Sequence, residues 1–220
     1  MKALIMKEFR LVVHPATYML ALLGVLVLIP SWMYGAIFIY GILVAFFNGM
    51  NARETHDLAY SFALPASRRA MVRARVAVMA LIEVFMLAVM VAFIALREPL
   101  GINGIAVEQG PVGCAANLYL VGLGFALFGL FNAVFYPLYY RNPLKVGAPF
   151  ALACIPAALA ITLLEALPYL PWEFCAPLGV PGFHDLGAQL TVLGIGVTLF
   201  AFATLWGIRR ASHAFATFDA

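Results

Sequence analysis

A long run without charged side chains, residues 11–52, constrains the fold of this chain more than any other feature. At about 1.5 Å of rise per residue, the run is far too long for one helix across a hydrocarbon core of about 30 Å. Pro30 and Ser31 lie near its middle, and a proline removes a backbone donor and clashes with the preceding turn. The run therefore predicts two membrane-spanning helices joined by a very short turn.

The rest of the chain is equally apolar. Hydrophobic residues make up 65% and charged residues 10% of the 220 positions, whereas soluble domains carry roughly 25% charged residues. Six apolar stretches are candidate spans, 16–30, 32–50, 76–96, 117–137, 147–167 and 188–208, and the first of them is shorter than the usual range of about 17–25 residues. We therefore predict an all-α integral membrane protein, a single domain over 1–220 with six transmembrane helices.

The basic residues predict its orientation. In a six-span arrangement only Arg97 falls on one side, and the other lysines and arginines fall on the opposite side: Lys2, Lys7, Arg10, Arg53, Arg68, Arg69, Arg73, Arg75, Arg141, Lys145, Arg209 and Arg210. Basic residues are retained in the cytoplasm, so both termini and the loops at 51–75 and 138–146 are expected to be cytosolic. A net charge of +3 spread in this way gives no indication of nucleic-acid binding.

Two cytosolic segments carry a pattern of their own. The opening "MKALIMKEFRLVVHP" alternates apolar and polar residues near the helical period, which predicts an amphipathic helix over 1–14 before His14 and Pro15 turn the chain into the membrane. Within 51–75, "NARETHDLAYSFALP" predicts a short helix over 54–64 that ends at Pro65. A solvated connector without a partner is the alternative for this second segment.

Four arginines follow Pro65 within "ALPASRRAMVRARV": Arg68, Arg69, Arg73 and Arg75. We expect them to anchor the third span at the cytosolic head groups, with Ser67 as the helix N-cap. One acidic residue, Glu83, falls well inside that span. Because a carboxylate at membrane depth is costly, Glu83 either lines a translocation path or subunit interface, or pairs with a nearby arginine or reaches water.

Signatures of several enzyme classes are absent from the sequence. It contains no GxxxxGK[ST] phosphate loop, no GxSxG and no HExxH, and the four histidines lie in loops or at span ends. Three scattered cysteines make no metal site, although Cys114 and Cys175 are candidates for a pair. We predict no catalytic, cofactor-binding or metal-binding residues in this chain.

The amphipathic start, the six spans and the loop "ETHDLAYSFALPASRRAMVRARV" resemble the permease subunits of type-2 ABC exporters. Within that family the chain is most similar to small half-permeases, such as those of phenol-soluble modulin and bacitracin-resistance exporters. The resemblance implies an elbow helix at the N-terminus, a dimer of permease subunits in the bacterial cytoplasmic membrane, and a separate ATPase that binds ATP and Mg²⁺.

The resemblance also assigns a role to the loop helix, which would dock on the ATPase as a coupling helix through Glu54, Asp57, Leu58, Tyr60, Phe62 and Leu64. The proline-rich segment 168–187 is either a re-entrant lid over the exit path or a simple exposed loop. The expected cargo is hydrophobic or amphipathic: a peptide, an antimicrobial or a lipid. Whether the dimer is a homodimer or a heterodimer stays open, and an intramembrane enzyme or a non-transporting scaffold or sensor subunit is the alternative function.

Overall fold

The computed structural model describes residues 2–109 and 112–218, and every regular element in these ranges is helical. The α-helices are α1 (Lys2–Lys7), α2 (Ala16–Leu22), α3 (Gly35–Glu54), α4 (Asp57–Ala63), α5 (Arg68–Arg97), α6 (Ile102–Gln109), α7 (Leu118–Tyr139), α8 (Gly147–Ala166) and α9 (Leu186–Ala216). A π-helical turn at Glu8–Val12 extends α1, and 3₁₀ turns lie at Leu23–Leu28, Leu167–Tyr169 and Ala176–Gly179.

Five helices, α3, α5, α7, α8 and α9, are long and apolar enough to cross a membrane. A sixth candidate is the bent pair Lys2–Val12 and Ala16–Leu28, whose two arms meet at 97°. The all-helical, multi-span prediction is therefore confirmed. The number of spans is five, or six if the bent pair counts as one span.

The bend in the N-terminal pair is fixed by α3. Asn48 on α3 accepts hydrogen bonds through Oδ1 from the backbone N–H of His14, at 2.6 Å, and from the hydroxyl of Thr17, at 3.0 Å. Pro15 has no N–H to continue a helix through this point. Because Asn48 and Thr17 are buried, the corner is part of the packed interior.

The limits of α4 and α5 agree with the sequence prediction at Ser67 and differ from it at the ends of α4. Ser67 caps α5, because its side-chain oxygen accepts from the backbone N–H of Ala70 at 3.2 Å, as predicted. The predicted loop helix over 54–64 is too long, because His56 adopts a left-handed backbone (φ 50°) that separates α3 from α4. Glu54 is therefore the last residue of α3, and Leu64 is extended after α4.

The core lies around α7, which packs most extensively against α9. Phe128 on α7 meets Phe38 on α3 edge to face, with ring centroids 5.8 Å apart. On the other side, Gly122 of α7 and Gly196 of α9 bring two backbones together: a Cβ built on Gly196 would lie 2.0 Å from the carbonyl oxygen of Gly122. Such close approach is how helices associate in lipid, where apolar surface alone gives no drive.

At the end of the bundle that holds the α5–α6 turn, irregular segments are joined by hydrogen bonds. The N–H of Ala115 donates to the carbonyl of Leu178 (2.8 Å), and that of Gly182 to the carbonyl of Ala116 (2.9 Å). The amide of Asn117 donates to the carbonyls of Leu178 and Val180. The segment at 168–187 is thus attached to the residues before α7 rather than being a free connector. Helix α6, which lies beside this segment, was not predicted from the sequence.

The three cysteines are free thiols, so the candidate pair of Cys114 with Cys175 is not formed. Both side chains are buried, and burial raises the pKa of the Cys114 thiol. They act as small apolar packing residues at this end of the bundle.

The α7–α9 contact can be tested with two glycines on one helix. We expect Gly196→Ala to destabilise the purified protein by about 1–3 kcal/mol, because the new methyl group overlaps backbone atoms that cannot move aside. Gly194→Ala is the matched control, since a Cβ there has no neighbour within 4 Å. Thermal unfolding in detergent measures both, and equal effects of the two substitutions would contradict this packing.

Candidate functional site

Four charged side chains meet where the N-terminal helix, α4 and α5 come together: Lys7, Glu8, Asp57 and Arg75, here called the junction cluster. Arg75 Nε lies 2.8 Å from Glu8 Oε2, and Arg75 Nη2 pairs with Asp57 Oδ2. Lys7 Nζ lies 3.0 Å from Glu8 Oε1 and also pairs with Asp57 Oδ1. Each cation therefore contacts both carboxylates.

Two hydroxyl groups extend the cluster. Lys7 Nζ donates to Ser61 Oγ at 2.7 Å, and the Ser61 hydroxyl lies 3.4 Å from Asp57 Oδ2. On the far side, Arg75 Nη1 donates to the Tyr139 hydroxyl at 3.3 Å. Since Tyr139 is the last residue of α7, the cluster connects that helix as well.

The junction cluster is shielded from solvent and balanced in charge. The side chains of Glu8 and Asp57 are 4% and 3% exposed, and those of Lys7 and Arg75 are 10% and 12% exposed. Two cations face two carboxylates, so no net charge is buried. Removing one partner from such an arrangement leaves a desolvated charge and typically costs about 3–5 kcal/mol.

Asp57 shows how the charges act on each other. Its burial alone would raise its pKa, but Arg75 and Lys7 outweigh that effect and hold the pKa below its usual value. A lowered pKa in the folded protein stabilises the fold wherever the carboxylate is ionised. The contribution is complete above the unfolded-state pKa of about 3.9 and is lost as the pH falls through the lower folded-state value.

Of the cluster residues, Asp57 and Arg75 were among the predicted functional residues, and Lys7 and Glu8 were missed. Glu8 is the one acidic residue in the basic segment before α2, and this is the signal that could have indicated an ion pair. Arg75 was expected at the head groups with the other arginines. The structure instead places it two turns into α5, among the carboxylates of the cluster.

The other arginines of that group take different positions. Arg68 caps the C-terminus of α9: its Nη1 donates to the carbonyls of Phe215 (3.0 Å), Ala216 (3.1 Å) and Phe218 (2.7 Å). Basic side chains at helix C-termini satisfy carbonyls that have no partner in the helix. Arg69 and Arg73 are exposed, as a role at the membrane surface requires.

The predicted coupling residues divide between two faces. Glu54 and Tyr60 are exposed, and Tyr60 is 52% accessible. Leu58, Phe62 and Leu64 are partly buried against this chain. The Phe62 ring stacks on Phe215 with centroids 5.8 Å apart, and the guanidinium of Arg68 lies 5.3 Å from the Phe62 ring centre.

Behind α4 lies a mainly apolar cavity of about 280 Å³. Its wall includes Leu58, Phe62, Tyr139, Leu144 and Phe218, and Arg75 also lines it. The side of α4 that carries Leu58 and Phe62 is therefore only partly covered by this chain.

Glu83 forms a second buried polar group, midway along α5. Its Oε2 accepts from the Asn132 amide at 2.8 Å, and that amide lies 3.3 Å from the Thr204 hydroxyl. Glu83 is 4% exposed, and among the described residues no basic side chain forms an ion pair with it. Glu83 is therefore buried without the arginine partner that the sequence left open.

Two further polar atoms in this region lack partners. Asn132 Oδ1 and the Tyr136 hydroxyl are buried and make no hydrogen bond to the described residues. The group therefore joins α5, α7 and α9, and two of its polar atoms have no hydrogen-bond partner among the described residues. Such groups in a membrane protein commonly mark functional positions.

In the described part of the chain, no group of three or more His, Cys, Asp or Glu side chains is arranged to hold a metal ion. Comparison of the chain with family models, with curated proteins and with solved structures finds no match.

The cluster predicts unequal effects at two neighbouring arginines. We expect Arg75→Gln to lower the free energy of unfolding by about 3–5 kcal/mol, because Glu8 and Asp57 then share only Lys7. Arg73→Gln is the matched control: this exposed residue lies on the same helix, and its loss should change stability by less than about 0.5 kcal/mol. Chemical unfolding in mixed micelles compares them, and a mild effect at Arg75 would rule out a cohesive cluster.

Proposed function

We propose that this chain is the membrane-spanning permease subunit of an ATP-driven ABC exporter that moves a hydrophobic or amphipathic substrate, such as a peptide, an antimicrobial or a lipid, out of the cell. The observation that carries the proposal is the junction cluster, which fixes one face of α4 to the start of a membrane helix and leaves its other face free. A separate ATPase subunit would bind ATP and Mg²⁺ and supply the energy.

The two faces of α4 differ sharply. Asp57 and Ser61, four residues apart, face the cluster and are buried, whereas Ala59, Tyr60 and Ala63 are exposed. A helix of 7 residues is too short to be stable alone, so α4 persists because the protein holds it. An aromatic residue on a small exposed face supported from behind suits docking by another protein.

The connection beyond α4 is short and stiff. Only 64–67 separate α4 from α5, and they include Pro65 and the capping residue Ser67. Asp57 on α4 pairs directly with Arg75 on α5, and Lys7 links the same carboxylate to the N-terminal helix. A displacement of α4 by a docked ATPase would therefore reach two membrane-associated elements through ion pairs.

In this proposal Tyr60 and Glu54 form the contact with the ATPase. Asp57, Leu58, Phe62 and Leu64 support the docked helix from this chain's side. The elbow helix is the arm Lys2–Val12, bent at 97° to the following arm. The functional unit would be a homodimer or heterodimer of permease subunits in the bacterial cytoplasmic membrane.

The proposal is tested by substituting the exposed aromatic residue of α4. We expect Tyr60→Asp to leave expression and folding unchanged but to abolish co-purification with a co-expressed partner ATPase, because a charge replaces the central apolar contact. Leu100→Asp is the matched control: Leu100 is 60% exposed and lies at the opposite end of the bundle, so ATPase binding should persist.

Retention of the ATPase by Tyr60→Asp, with undiminished substrate-stimulated hydrolysis, would disprove the coupling role of α4. Loss of the ATPase in both variants would point to a general effect of the added charge. Turnover of a substrate by the purified chain without any ATPase would favour an intramembrane enzyme instead.

Glu83 allows a separate test of transport. If its carboxylate serves the translocation path, Glu83→Gln should keep ATPase binding but lower substrate-stimulated ATP hydrolysis by roughly tenfold, equivalent to about 1.4 kcal/mol. Thr204→Val, which removes a hydroxyl that contacts Asn132 rather than Glu83, is the control with the smaller expected effect. A normal rate in Glu83→Gln would assign the carboxylate a structural role.

A further inference from the structure

A cavity of about 290 Å³ lies at the end of the bundle opposite to the junction cluster. It opens between the turn that follows α2, helix α6 and the segments before α7 and α9. Its lining includes Trp32, Tyr34, Arg97, Ala106, Val112 and Val180. None of these residues takes part in the function proposed above.

Arg97 is the unusual member of this lining, because it is 0% exposed. Its Nε donates to Asn103 Oδ1 at 2.9 Å, and its Nη1 donates to the Tyr34 hydroxyl at 2.9 Å and to the Val27 carbonyl. The guanidinium also lies 5.7 Å from the centre of the Tyr34 ring. All of these partners are neutral.

No carboxylate of the described residues lies within ion-pair distance of Arg97. Glu165, the acidic side chain that packs nearby, accepts from the backbone N–H groups of Gly35 and Cys114 instead. Glu98 and Glu108 are exposed. A buried cation without a counter-ion is costly, since water no longer solvates it and no opposite charge replaces that water.

The guanidinium retains donors for such a counter-ion. Its hydrogen bonds to described residues use Nε and Nη1, so a further acceptor would have to bind at Nη2. The guanidinium fork matches the oxygens of a carboxylate or phosphate. An anion bound at Nη2 would balance the charge of Arg97.

The remaining walls of the cavity are mainly apolar. Trp32, Ala106, Val112, Val180 and Pro181 surround the space beside Arg97. A small inorganic anion would leave these surfaces uncovered, whereas an anionic group attached to an alkyl chain would cover them. The volume suits a head group and the first part of a chain rather than a whole lipid.

We propose that this cavity binds the carboxylate or phosphate head group of an amphiphile through Arg97, with the adjoining alkyl segment against Trp32 and Val180. The same chemistry is offered by an anionic membrane lipid and by a single-chain amphiphile that arrives from water. The inference does not depend on the exporter proposal, since binding would be measured without any ATPase.

Trp32 provides a direct reporter of occupancy. The other tryptophans, Trp172 and Trp206, are replaced by phenylalanine, so that fluorescence comes from the cavity wall alone. The protein is placed in nanodiscs of phosphatidylcholine that contain a small fraction of bromine-labelled phosphatidylglycerol or, for comparison, bromine-labelled phosphatidylcholine. A second arm adds bromine-labelled dodecanoate or dodecanol from solution.

We expect the anionic probe of at least one arm to quench Trp32 at roughly tenfold lower concentration than its neutral counterpart. This ratio is what the binding free energy of about one charge-assisted hydrogen bond would produce. Preference for phosphatidylglycerol identifies a membrane lipid as the source, and preference for dodecanoate alone identifies a soluble amphiphile. Arg97→Met should remove the preference, whereas Arg69→Met, at an exposed arginine of the other end, should keep it.

Because Arg97 also holds Tyr34 and Val27, a second variant fills the cavity and retains the charge. Ala106→Phe should reduce quenching by the anionic probe to the level of the neutral probe. Equal quenching by anionic and neutral probes in both arms would overturn the proposal. So would a preference that survives in folded Arg97→Met or in Ala106→Phe protein.

Discussion

The ion pairs of Arg75 with Glu8 and Asp57 are the interaction on which the basic end of this protein depends. They join segments far apart in the sequence, and without them neither the N-terminal arm nor the short helix α4 has a comparable attachment to α5. The charges are balanced within the cluster, so its burial is tolerable only while all four members are present. The cluster therefore ties α4, α5 and the N-terminal arm to one another, which is the property that the proposed coupling to an ATPase would require.

At the opposite end of the bundle, the buried charge is not paired with an opposite charge in the same way. There the buried Arg97 has neutral hydrogen-bond partners and a cavity beside it, which is where we propose that an anionic head group binds. Between the two ends, α7 packs against α9 through Gly122 and Gly196, and the Glu83 group joins both helices to α5. The charges at one end are thus paired within the chain, whereas the buried cation at the other end has no ion pair among the described residues.

Local features of this fold were predictable from the sequence, and long-range pairings were not. The break at Pro30, the Ser67 cap and the apolar spans follow from residue chemistry within a few positions. The pairing of Glu8 with Arg75 spans 67 residues and has no local signature. Phe62 was predicted to face a partner protein, because both sides of this short helix carry apolar residues. The stacking of Phe62 on Phe215 shows that its side of α4 faces this chain instead.

A double-mutant cycle on Asp57 and Arg75 tests the central claim most directly. The free energy of unfolding is measured for the parent protein, Asp57→Asn, Arg75→Gln and the double variant. A cohesive cluster predicts that the double variant is less destabilised than the sum of the single variants by about 1.5–3 kcal/mol, because each single change leaves a charge without its partner. Additive effects, within about 0.5 kcal/mol, would show that the two residues act independently and would contradict the account.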